Sequence, residues 1–189
     1  MPSARMNFEI FKKRRFFMKL AKRFFTLFFF IFVGCQSLNP PIDWNDTQSI
    51  AAQISSTRDE SRYLNTYEGP AYDVKDIGGY LIRAWKYDKD DTATYQIYIK
   101  DHYSDDSGFY GSAYDSDGNK LNTVKISRED NTCITGSCWF YSPLGINVEQ
   151  DYLEKYKDSG VSVQLFDKTG ENIFSIPSAY IKAFLDKVS

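Results

Sequence analysis

Gly79-Tyr80-Leu81-Ile82-Arg83-Ala84-Trp85-Lys86-Tyr87, then Asp88-Lys89-Asp90-Asp91, then the run from Thr92 through Tyr95-Gln96-Ile97-Tyr98-Ile99 to Tyr103 decide the fold of this chain. Aromatic and β-branched side chains pack well on a pleated, half-buried surface, so both runs read as strands. The acidic tetrapeptide between them is too short and too polar to be anything but a turn. Two strands joined by so short a link pair antiparallel.

The same rhythm continues on the C-terminal side. Gly108 to Tyr114, Leu121 to Ser127, Cys138 to Tyr141 and Ile146 to Val148 are further strand runs, separated by turn-formers such as Ser104-Asp105-Asp106-Ser107 and Asp115-Ser116-Asp117-Gly118-Asn119. Asn147 with Gln150 three residues on has the form of a capping box, opening a helix through Tyr152, Leu153 and Tyr156 that Ser159-Gly160 stops. Val161-Ser162-Val163-Gln164-Leu165 alternates, Asp167-Lys168-Thr169-Gly170 turns, and Ile173 to Ile176 returns as a hairpin. Pro177 then starts a last helix with Tyr180, Ile181, Phe184 and Val188 on one stripe. On the N-terminal side, Asp46 or Thr47 caps a helix through Ile50, Ala51 and Ile54, whose stripe fades into the polar segment Ser55 to Arg62. The expected fold class is α+β. It is mainly an antiparallel β meander, with a short N-terminal helix and two short helices in the C-terminal half.

The first 34 residues have a different character. A basic stretch (Lys12, Lys13, Arg14, Arg15, Lys19, Lys22, Arg23) precedes the apolar run Phe24 to Val33, and Phe32-Val33-Gly34-Cys35 closes it. This order is that of a secretory signal. The last four residues resemble the lipobox of bacterial lipoproteins. The alternatives are a permanent transmembrane helix, for which ten apolar residues fall short of the roughly 20 needed, and an ordinary secretory signal with an incidental cysteine. The compact start Met18-Lys19-Leu20-Ala21-Lys22-Arg23 also makes Met18 a candidate translation start, with the same mature product.

The resemblance implies that Cys35 receives a diacylglyceryl group, that the chain is cut after Gly34, and that the new amino terminus is acylated. Two or more buried acyl chains hold a protein on a membrane where one does not. Gln36 after the cysteine resembles lipoproteins sent to the outer membrane of diderm bacteria, facing the periplasm. Residues 1–34 are then the signal, 35–45 the lipidated cysteine and its Pro40-Pro41 tether, and 46–189 one periplasmic domain. The segments Asn147-Val148-Glu149, Val161 to Leu165 and Phe174 to Ile181 also resemble the C-terminal part of bacterial lipoproteins of unknown function. They span about a third of the mature chain, and no activity is attached to them.

Removal of the leader changes the charge that matters. Residues 1–34 hold eight of the 23 Lys and Arg and one of the 25 Asp and Glu, which leaves 15 against 24, a net charge of −9. Such a surface argues against nucleic acid and against docking onto anionic lipid by charge. The membrane is instead a partner through the lipid on Cys35.

With Cys35 acylated in an oxidising compartment, Cys133 and Cys138 remain as an even pair, and a disulfide between them is expected. Their C-x4-C spacing is not that of redox pairs, and a zinc site would need two further ligands from a chain with one histidine. That histidine, His102, follows Asp101, but strand neighbours point to opposite faces, so the carboxylate is poorly placed to orient the ring. The Asp115-x-Asp117-Gly118-Asn119 stretch fits a calcium loop in neither register: one puts Lys120 at the glycine position and Ile126 at the bidentate position, the other begins on Ala113 and ends on Val124. It reads as an Asp-Gly hairpin turn. No catalytic residue, metal or cofactor is expected.

Two functions remain. The first is a non-catalytic envelope lipoprotein that presents its β domain to a protein or glycan, with Trp85, Tyr98, Tyr110 and Trp139 as a candidate aromatic binding surface. The second is an envelope hydrolase acting on glycan or peptidoglycan through carboxylates or His102. An exposed aromatic patch favours the first, and a cleft with two close carboxylates favours the second.

Overall fold

The computed structural model describes residues 41–75, 77–100, 102–104, 110–126, 130–134, 137–141, 143–168 and 170–189, with backbone alone for 102–104, 130–134 and 137–141. The expected signal and lipidation site, and most of the expected tether, lie outside the described residues. The chain divides into Met1–Pro41 and Ile42–Ser189, and every element below belongs to the second unit.

Helix α1 (Thr47–Ala51) opens at Asp46, whose carboxylate accepts from the backbone N–H groups of Gln48 and Ser49. It is shorter than the sequence suggested. The polar segment after it forms strands β1 (Ser55–Asp59) and β2 (Leu64–Glu68), an exposed hairpin that reads poorly as a strand pair because neither face is strongly apolar. Then come β3 (Tyr80–Tyr87), β4 (Thr94–Ile99), β5 (His102–Ser104), β6 (Ser112–Asp115), β7 (Lys120–Lys125), β8 (Asp130–Ile134), β9 (Ser137–Tyr141) and β10 (Leu144–Val148). Helix α2 (Gln150–Tyr156), strands β11 (Val161–Phe166) and β12 (Glu171–Ile176), and helix α3 (Ser178–Val188) complete the chain.

Nine of these strands form one antiparallel sheet in the order β1-β2-β3-β4-β10-β7-β6-β11-β12, and β5-β9-β8 form a second. Sequence neighbours pair from β1 to β4, and again at β6–β7 and β11–β12. The meander is interrupted where β10 returns between β4 and β7 and where β11 comes back against β6. Strand β7 joins the two halves: Lys120 and Leu121 pair with β6, while Asn122 to Lys125 pair with β10.

One face of the large sheet is apolar because side chains alternate along each strand. Tyr80, Ile82 and Ala84 of β3, Tyr95, Ile97 and Ile99 of β4, Leu144, Ile146 and Val148 of β10, and Val161, Val163 and Leu165 of β11 are all buried on it. The helices fill this face. Tyr180, Ile181, Ala183, Phe184, Leu185 and Val188 of α3 are buried in the same cluster, with Ile50 of α1 and Leu153 of α2 against them. The stripe read from the sequence is thus the buried face of α3, widened by Ala183 and Leu185. Pro177 sits at the N-cap of α3, one place before its first helical residue. Glu149 caps α2 without a side-chain hydrogen bond, so the expected capping box does not form. Asn147 stays in β10 instead, where its side chain accepts a hydrogen bond from Gln96.

The aromatic weight of the sequence goes largely into this interior. Tyr72 and Tyr80 stack with centroids 5.2 Å apart, Phe174 lies 4.8 Å from Tyr80, and Trp44 is 4.6 Å from Tyr72. The buried Tyr180 hydroxyl donates to the carbonyl of Pro70 at 2.7 Å and accepts from the Ile82 N–H at 3.2 Å. Gly69 allows this approach, since a Cβ there would come within 2.2 Å of that hydroxyl. Among the described residues, no helix is long and apolar enough to cross a membrane.

Candidate functional site

The opposite face of the sheet carries no helix-packed core residues, and its side chains follow from register. Arg83 faces Gln96 across β3–β4, Gln96 faces Asn147 across β4–β10, and Asn147 faces Asn122 across β10–β7. Leu81, Tyr98 and Gly145 form the next row, and Trp85 with Thr94 the row on the other side. An apolar strand run with a cation or an amide at alternate positions therefore builds a polar row beside aromatic rings.

The rings and the cation interlock. The Arg83 guanidinium lies 4.4 Å from the Tyr98 ring centroid and 4.9 Å from that of Trp85. Stacking of this kind on an aromatic face is worth about 0.5–2 kcal/mol, more where water is excluded. Arg83 donates from Nε at 2.9 Å and from Nη2 at 2.6 Å to the Gln96 carbonyl oxygen, and Gln96 donates from Nε2 to Asn147 Oδ1 at 2.6 Å. Gly145 makes room for this bridge, because a Cβ there would stand 2.5 Å from the Gln96 amide carbon and nitrogen. Gln96 is buried, while Arg83, Trp85, Tyr98 and Asn147 are half-buried. Burial pulls the Arg83 pKa below its ordinary value, opposed by Tyr98 and Glu68, yet a guanidinium keeps its charge at neutral pH.

Of the four aromatic residues read as a binding surface, Trp85 and Tyr98 are thus brought together. Tyr110 is buried in the apolar core at 5% exposure and its hydroxyl accepts from Asn172 at 2.5 Å, so it presents no face to solvent. Tyr110 therefore belongs to the interior and not to the candidate binding surface. Trp139 lies in β9, where only the backbone is described, opposite Ser104 and Thr132. Arg83, Gln96 and Asn147 escaped the sequence reading. Their signal was there, since Arg83 and Gln96 break apolar runs at the same alternate phase as Trp85 and Tyr98.

Cys133 and Cys138 are direct partners in the β8–β9 register, but their side chains, like that of His102 in β5, lie outside the described residues. Asp101, Cys35 and the whole leader lie outside them too.

The Asp115–Asn119 stretch is a hairpin turn, with Gly118 at φ 81° and its N–H bonded to the Asp115 carbonyl at 3.0 Å. The buried Asp115 carboxylate accepts from the backbone N–H groups of Asp117 and Asn119 and from the Asn119 side chain. Asp117 accepts from Lys155 at 2.6 Å, and the Tyr156 hydroxyl reaches both carboxylates, at 3.3 Å and 2.8 Å. Burial pushes the Asp115 pKa up, but the hydrogen bonds from Asn119, Asp117 and Tyr156 outweigh it and hold it below the ordinary range. Lys155 first, then Tyr156, do the same for Asp117. Two carboxylates this close with both held ionised form a strut between the β6–β7 turn and α2. A glycosidase acid would need one of them raised. Among the described residues, no group of three or more metal-ligating side chains could hold an ion.

A second feature of the helix-free face lies further along it. Ser112, Tyr114, Gly118, Gln164 and Phe166 line a shallow depression of about 480 Å³, in which the Tyr114 and Phe166 rings meet edge to face at 5.6 Å.

No family model, curated protein or solved structure matches this chain.

Proposed function

We propose that this chain is a non-catalytic cell-envelope lipoprotein, anchored through Cys35 and presenting the helix-free face of its sheet to a partner. The observation that carries the binding reading is the row Trp85-Arg83-Tyr98, backed by Gln96 and Asn147. Half-buried aromatic rings with fixed polar groups between them are what recognition surfaces are built from, since they add contact area at small cost in side-chain entropy. The lipobox resemblance supports the anchor, and the net charge of −9 leaves the lipid as the means of attachment. The alternative, an envelope hydrolase, finds no support in the Asp115–Asp117 pair, whose carboxyls are both held ionised.

The test is capture from intact envelopes. A photo-crosslinker at Asn122 or Val124, both exposed beside the row, is expected to trap a partner that Trp85→Ala and Tyr98→Ala lose, while one at the exposed Asp186 of α3 traps none. A peptidoglycan sedimentation assay runs beside it. Failure of both to show binding would leave the reading without support.

A further inference from the structure

We propose that Arg83 is a built receptor for a single carboxylate group. This rests on the reading of the helix-free face as a binding surface and names the ligand chemistry of that face.

A guanidinium has five N–H donors arranged on two usable edges. The Nε/Nη2 edge is occupied, because one oxygen of Gln96 takes both bonds. The remaining edge carries one N–H each of Nη2 and Nη1, and no acceptor among the described residues takes them. This is the edge that matches the two oxygens of a carboxylate in a parallel, bidentate pair. The only buried side-chain polar atom without a partner among the described residues is the Tyr152 hydroxyl, so the open edge of Arg83 is reached by solvent.

The surroundings hold that edge still. The Tyr98 and Trp85 rings fix the plane of the guanidinium from 4.4 Å and 4.9 Å, and Gln96 fixes its rotation. Gln96 is in turn held by Asn147, in the space that Gly145 leaves open. A cation fixed this way spends little entropy on binding. It also makes no ion pair: among the described residues, Arg58, Arg62, Lys155, Lys157 and Lys182 each lie within salt-bridge distance of a carboxylate, whereas Glu68, across β2–β3, acts on Arg83 only from beyond that distance. In a domain of net charge −9, a half-buried arginine left unpaired is a site of complementary charge for an incoming anion.

Charge also selects among anions. One guanidinium balances one negative charge, and Glu68 faces Arg83 across β2–β3. The excess negative charge of a phosphate dianion would meet that carboxylate and the field of the whole domain. A monoanionic carboxylate fits, whether it ends a peptide or belongs to a sugar acid.

The experiment follows the side-chain amide and indole resonances of the full-length chain, purified from membranes in detergent, during titration with small probes. N-acetylglycine is compared with the neutral N-acetylglycinamide, and glucuronate with glucose; inorganic phosphate forms the fifth arm. Saturable shifts at the Trp85 indole and the Gln96 amide are expected with either acid. Affinity should be roughly tenfold or more above that for the matching neutral probe, as a lost charge-assisted pair requires. Which acid binds more tightly distinguishes a peptide from a glycan source. Arg83→Gln should abolish the discrimination, and Arg83→Lys, with its charge but without the fork, should weaken it. Equal shifts with acid and neutral probe in the unaltered chain would overturn the proposal without reliance on any variant. Phosphate binding as tightly as either acid would overturn the monoanion assignment. Envelope cross-linking that persists in Arg83→Gln, with no acid preference in the unaltered chain, would remove this inference and leave the binding surface standing.

Discussion

Tyr180 shows how one hydroxyl can close a gap in a sheet. Beyond the Glu68–Arg83 pair the Gly69 N–H still donates to the Ile82 carbonyl at 2.8 Å, but the Ile82 N–H and the Pro70 carbonyl turn to the Tyr180 hydroxyl. Tyr180→Phe removes that atom and leaves the buried Ile82 N–H without a partner, so it should cost about 2 kcal/mol in urea denaturation, within the 1–3 kcal/mol expected for an orphaned buried group. Asp115 makes a second prediction, in pH. Its folded pKa is depressed, so the stability it contributes is present above the unfolded value of about 3.9 and is lost as pH falls through the folded value. Melting temperature should therefore drop on acidification below about pH 4, and Asp115→Ala should lower it at pH 7 while flattening that drop. At this scale the sequence was only half legible. The turn at Asp115-Ser116-Asp117-Gly118-Asn119 could be read from residue types, because an Asp side chain and a glycine at positive φ belong to local chemistry. That Tyr156, 39 residues from Asp117, would bond to it depends on tertiary packing that no local pattern encodes.

The elements divide by how strongly one face is marked. Strands β3, β4 and β11 and helix α3 were readable because buried side chains recur at a fixed period in each. The hairpin of β1 and β2 was not, because eight of its ten residues are polar and none of the ten is buried, and its Tyr63 turn adopts φ 52°. Beside its strand ladders, charge and amide contacts tie one end of it to the end of β3: Arg58 meets Asp88 at 2.7 Å and 3.0 Å, and Asn65 donates to the same carboxylate. Helix α3 carries the element-scale prediction. Phe184 is fully buried against Tyr95, and Phe184→Ala should cost about 3–5 kcal/mol by chemical denaturation. That is a large part of the 5–15 kcal/mol typical of a whole domain. On the other face, Gly145→Ala should leave the strands paired but push the Gln96 amide aside, freeing Arg83 to rotate. Loss of the acid-over-amide preference, with melting changed by only a few degrees, is the expected readout.

For the molecule as a whole, composition and strand rhythm were enough to place it among α+β folds, with one large antiparallel sheet and three helices. The connection order was not legible, because β10 and β11 join strands far from them in sequence, and only the completed core selects those partners. The candidate site had the same fate: two of its rings could be named in advance, but the row joining them spans β3, β4 and β10. If Cys35 is acylated as its surroundings suggest, Cys35→Ala should abolish labelling with palmitate analogues and release the product from membranes or leave it as a precursor, as seen by fractionation.

The position of α3 in the order of synthesis has a further consequence. It follows every described strand, yet it supplies six of the side chains that those strands enclose. Until residues 178–188 emerge, the core lacks these six side chains and only Ile50 of α1 and Leu153 of α2 stand on that face from the helices named above. A chain built this way cannot close its interior until its synthesis is all but finished.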